Sequence, residues 1–104
     1  MSVVKINALE VPSHLAPTLE ERFANRAGEV EKVAGFEGFS LLRPTDSGGR
    51  YFVVTRWESD EAFQRWVDSR QFAVGHAQSA ERPAAAGSEL LSFEVVLEAG
   101  PKPV

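Results

Sequence analysis

The chain predicts an α+β fold, a four-stranded antiparallel sheet carrying two helices on one face. Three observations lead there. The apolar period switches between that of a strand and that of a helix in the order strand, helix, strand, strand, helix, strand. Turn residues punctuate the segments at Pro12, Gly35, Pro44, the Thr45-Asp46-Ser47-Gly48-Gly49 run and Gly87. The strands are apolar on both faces, more than two helices can cover. The order is that of the ferredoxin-like βαββαβ arrangement, and the uncovered apolar face predicts a homodimer whose sheets meet face to face.

Val3 to Val11 is rich in β-branched and aliphatic residues and reads as the first strand. Val4, Ile6 and Ala8 point one way, and Val3, Lys5, Asn7 and Leu9 the other. Asn7 stands out, because an amide inside a strand either faces water or needs a partner. Pro12 ends the strand. Pro17 and the Thr18/Glu21 capping-box spacing then place a helix start, followed by Leu19, Phe23, Ala27, Val30 and Val33 at helical spacing. Arg22 and Arg26 flank that stripe, and solvated or ion-paired arginines are the ordinary reading of such positions. Gly35 is placed to stop the helix. Gly35 to Pro44 forms the second strand and Tyr51 to Trp57 the third, joined by a hairpin loop.

Ser59 or Asp60 caps a short second helix carrying Phe63, Trp66 and Val67 on one face. Its pattern stumbles at Asp68-Ser69, resumes weakly through Phe72 and ends on Gly75-His76. Glu89 to Glu98 is the last strand, with Leu91, Phe93, Val95 and Leu97 on one face. Residues 1–98 thus read as one domain and 99–104 as a flexible tail.

At 104 residues and 43% hydrophobic, the chain is long enough for one core without staples. It has no cysteine, which removes disulfides, iron–sulfur clusters and thiolate chemistry and fits a reducing compartment. The net charge is −4 with interleaved signs, so no basic stripe points to nucleic acid or to an anionic membrane surface. No apolar run approaches the ~20 residues that span a bilayer, and the amino-terminal segment reads as a strand rather than a signal peptide. A cytoplasmic protein is the expectation.

The serines form no nucleophile elbow, and the Gly48-Gly49 pair is a hairpin signal rather than a phosphate loop. What remains is a cleft between helices and sheet, walled by Phe23, Phe63, Trp66 and Phe72, with Asn7 and His76 as its polar groups. Such a pocket suits a large planar aromatic ligand. An imidazole on a loosely helical apolar segment is a common way to hold a metal or haem iron, while a partly buried structural histidine fits the same spacing.

The stretches VVKINALEVP, LEERFANRAGEVE, GFEGFSLLRP and RYFVVTRWESDEAFQRW carry a resemblance. The chain is similar to the antibiotic biosynthesis monooxygenase superfamily of dimeric α+β barrels and, within it, to the IsdG-type haem-degrading enzymes, the mycobacterial branch above all. That family is marked by an Asn on the first strand, a Trp on the second helix and a His after it, matched by Asn7, Trp66 and His76. Around WVDSRQFAVGH the spacing looks more like the staphylococcal branch, so the tetrapyrrole products of both branches stay open.

The resemblance implies that His76 is the proximal ligand of the haem iron and that Asn7 donates an N–H toward the distal ligand or the haem edge. It implies that Trp66 presses the porphyrin out of plane, that Phe23, Phe63 and Phe72 line the pocket, and that Arg22 or Arg26 meets the propionates. Haem would be substrate and cofactor together, with O2 and an external electron donor, a separate reductase, completing the reaction. A cofactor-free monooxygenase of a polycyclic aromatic metabolite and a non-catalytic haem-storage dimer are the other readings of the same pocket.

Overall fold

The computed structural model describes residues 1–30, 32–69 and 87–101, with residues 26–30 described as backbone alone. Its elements run β1 (Val3–Glu10), α1 (Ala16–Val30), β2 (Phe36–Leu42), β3 (Tyr51–Trp57), α2 (Asp60–Val67) and β4 (Gly87–Glu94). The strands form one antiparallel sheet in the order β2-β3-β1-β4. This is the ferredoxin-like arrangement.

Several boundaries differ from the sequence reading, among them β2, which runs Phe36–Leu42 rather than from Gly35 to Pro44. A 3-10 turn over Ser13–Leu15 leads directly into α1 at Ala16, so Thr18 lies inside the first turn rather than at the cap. The 3-10 turn sets the helical path before the capping-box residues are reached. Gly35 lies beyond the helix, in the turn before β2, with a positive φ of 85°. A Cβ there would stand 2.5 Å from that of Ala62, and the Glu58 N–H donates to the Gly35 carbonyl at 2.8 Å, so the glycine lets β2 pass tightly under α2. The last strand runs from Gly87 to Glu94, and the Val95 N–H extends its ladder by one bond to the Ser2 carbonyl at 2.9 Å. The alternation expected to reach Leu97 therefore stops early, and Val96 and Leu97 are exposed.

Register sorts the residues onto two faces. Val3, Lys5, Asn7 and Leu9 of β1 pair with Trp57, Thr55, Val53 and Tyr51 of β3, and this is the face the helices cover. Two packing clusters sit on it. One gathers Val3, Trp57, Ala62 and Phe63, with Phe36, Trp66 and Val67 against it. The other gathers Leu9, Leu19, Tyr51 and Val53, with Phe23 and Phe39 against it. The opposite face carries Val4, Ile6, Phe52, Val54, Leu91 and Phe93, and Phe93 is half exposed.

Of the two candidates, Ser59 and Asp60, it is Ser59 that caps α2, accepting from the Ala62 N–H at 3.2 Å. The break expected at Asp68-Ser69 is present. Asp68 is the C-cap, and Ser69 bonds the Trp66 carbonyl through its N–H at 2.9 Å and its hydroxyl at 2.5 Å.

Candidate active site on the helix-covered face

Asn7 lies mid-strand on the covered face, between the two clusters, paired in register with Val53 and Leu90. It is half-buried. No described residue hydrogen-bonds its amide, and among the described residues no buried side-chain nitrogen or oxygen lacks a partner, so this amide faces accessible space. A polar group held by a strand paired on both sides is fixed in place, which suits one that must meet a ligand.

Trp66 is half-buried on the last turn of α2. Its ring lies 5.6 Å from that of Trp57 and 6.2 Å from that of Phe63, and Trp57 in turn meets Phe63 and Phe36 edge-on. Trp57 is wholly buried, so Trp66 leans on a support that cannot give way. Phe63, expected in the pocket wall, is only 7% exposed and spends most of its surface closing the core beneath Trp66.

Phe23 belongs to the other cluster, stacked on Phe39 with ring centroids 6.0 Å apart. The structure thus places Phe63 and Trp66 together and Phe23 apart from them, with Asn7 between. Phe23 also lines a cleft of about 470 Å³ with Phe39, Leu41, Glu20, Arg43 and Tyr51. Arg22 is half-buried beside it on α1, and Arg26 follows one turn on, its side chain outside the described residues. His76 and Phe72 also lie outside the described residues.

Three neighbours of the site were not singled out by the sequence. Leu90, across from Asn7 on β4, is 56% exposed and extends the apolar surface beside the amide. Its signal was its place in the strand alternation, opposite to Leu91. Lys5, two residues before Asn7 on the same face, is buried, and its Nζ donates to Asp60 Oδ1 at 2.6 Å. Tyr51 donates its hydroxyl to Glu20 at 2.5 Å, and Arg43 holds the same carboxylate with two N–H groups at 2.5 and 2.9 Å. The Arg43 hydrogen bonds, with help from the Tyr51 hydroxyl, pull Glu20 down from 4.5 to about 2. The bond to Glu20, then burial, pushes the Tyr51 phenol up.

The described residues offer a supported indole on α2, an amide on β1 that no described residue hydrogen-bonds, and an exposed leucine across from it on β4, groups of the kind that meet a flat aromatic ligand. Among the described residues no cluster of three His, Cys, Asp or Glu side chains could hold a bare metal ion. No helix among them is long and apolar enough to cross a membrane.

Residues 2–78 match the antibiotic biosynthesis monooxygenase family, and the chain belongs to that family. It is 57% identical over 100 residues to a mycobilin-producing haem oxygenase of Mycobacterium tuberculosis, an alignment covering 96% of this chain and 94% of that protein. It is 31% identical to a haem-degrading monooxygenase of Listeria welshimeri, over 90% of this chain and 91% of the relative. Among solved structures it superposes on the haem degrader MhuD from M. tuberculosis, which has two haems bound in its active site. The TM-score there is 0.82 at 57% identity, covering 94% of this chain and 99% of that one.

Proposed function

We propose that this protein is a haem-degrading monooxygenase, which binds haem, opens the porphyrin ring with O2 and electrons from an external donor, and releases iron. The observation that carries the reading is the 57% identity, over nearly the whole chain, to a mycobilin-producing haem oxygenase. The likeness to MhuD, solved with two haems in its active site, supports it.

Haem in this pocket is the substrate and also supplies the iron that activates O2. The chain's own residues do the rest. His76 holds the iron through its imidazole. Asn7 donates its amide N–H toward the reacting edge, from a strand that cannot relax away. Trp66 presses on the porphyrin, and the buried Trp57 ring 5.6 Å behind it takes up the force. Phe23 and Phe72 keep water from the apolar edge, with Phe63 bracing Trp66 from below, and Arg22 or Arg26 meets the propionates.

The same proposal includes a cytoplasmic homodimer, served by a separate reductase, that pairs the open sheet faces. On that face Val4, Ile6, Phe52, Val54 and Leu91 are only partly buried and Phe93 is half exposed, which supports it. An Ile6→Glu variant should sediment as a monomer, where the wild type sediments as a dimer.

Titration with haemin tests the central reading. A stoichiometric Soret shift is expected, and it should vanish in His76→Ala. Under O2 with ascorbate the Soret band should decay, with mass spectrometry identifying the opened tetrapyrrole. A wild-type protein that leaves the haemin spectrum unchanged sinks the reading, and a band that never decays leaves only haem storage.

A further inference from the structure

We propose that Lys5 is a positioning residue for this pocket, locking α2, and with it Trp66, onto the strand that carries Asn7. This rests on the haem-degrading reading of the site.

A buried ammonium calls for a reason, because a methionine would fill the same space with no charge to desolvate. Lys5 is 7% exposed. Its Nζ donates to Asp60 Oδ1, on the first residue of α2, at 2.6 Å and to Ser92 Oγ on β4 at 3.1 Å. It also stands 4.9 Å from the centre of the Phe63 ring, one helical turn before Trp66. Two of the three contacts are to α2 and one is to β4. A slide of α2 along the sheet, or a tilt of its first turn, breaks at least one of them.

The main chain of Lys5 adds a second route to the same ring. Its carbonyl accepts from Thr55 Oγ1 at 3.3 Å, and that hydroxyl accepts from Trp57 Nε1 at 2.9 Å. Trp57 is the ring behind Trp66. Lys5 therefore holds both the helix that carries Trp66 and the indole that backs it, two residues from Asn7 on the same strand face. A helix of eight residues has little stability of its own, so its placement depends on such ties. Register is also the best-attested use of a buried charge.

The haem-free protein and its haemin titration test this together, in Lys5→Met, Asp60→Ala and the double variant. Asp60 is largely exposed, so Asp60→Ala keeps its fold and decides the question even where Lys5→Met does not fold. Coupled near-UV dichroism of the Trp57–Trp66 pair should fall in each variant while far-UV dichroism holds. Haemin affinity should drop about tenfold in each single variant. The double variant should be no worse than Lys5→Met, since both changes remove one tie. An unchanged near-UV band overturns the inference, and so does a reduced band with full haemin affinity. A wild type that fails to bind haemin overturns the haem reading instead, and the near-UV band still judges the hold of Lys5 on Trp66.

Discussion

At the α2 end of the covered face, Trp57, Phe63 and Trp66 pack ring on ring beside a buried ammonium. At the α1 end, Leu9 and Leu19 pack around a tyrosine whose hydroxyl reaches a surface ion pair. Both ends cover the same sheet, yet they respond to different forces. The first rests chiefly on burial and ring contact, which truncation destroys and salt barely touches, with the buried Lys5 ammonium tied to Asp60 beside them. The second adds a polar tie at the protein surface, where Arg43 is 70% exposed and water and salt screen the charges. A rigid wall is possible only where the support is dry. Trp66, to which the proposal gives the pressing role, has such a support at the α2 end.

The comparison can be broken most directly at Trp57. Trp57→Ala empties a wholly buried site and should cost about 3–5 kcal/mol in urea unfolding. Leu19→Ala, the matching truncation at the α1 end, should cost about 2–3 kcal/mol, because a smaller side chain leaves less to collapse. A larger loss at Leu19 than at Trp57 would reverse the ranking of the two ends. Gly35→Ala forces a Cβ to within 2.5 Å of Ala62 at a φ of 85°, and should lower stability by about 2 kcal/mol. Its effect should appear at the α2 end, as a changed Trp66 fluorescence.

Ser59→Ala removes the cap of α2 and should cost about 1 kcal/mol, read from the thermal midpoint. The smallest effect belongs to Glu20. Its folded carboxylate titrates at about 2 against an ordinary 4.5, so its stabilisation is present above pH 4.5 and fades as the pH falls through about 2. Glu20→Gln should flatten the fall of stability across that window, and raised salt should mimic part of the change in the wild type.

Much of this was legible from periodicity. The order of the elements, a cap at Ser59 or Asp60, the break after Val67 and the oddity of Asn7 all follow from local chemistry along the chain. The start of α1 was not, because the 3-10 turn over Ser13–Leu15 begins the helical path before the capping-box residues. The importance of Lys5 was hidden as well. A lysine in a strand ordinarily reads as a solvated residue, and only Asp60, Ser92 and Phe63, distant in sequence, convert it into a buried anchor.

By itself, then, the sequence determined the elements, their order and which residues share a face, because alternation and helical spacing are local properties of the chain. The tertiary structure decided who meets whom. It sent Phe63 into the core under Trp66, gave Phe23 to a separate cluster with Phe39, and set Trp57 behind Trp66. The physical reason is that a period assigns a side chain to a direction, while its neighbours across the sheet are fixed only when whole surfaces are packed together.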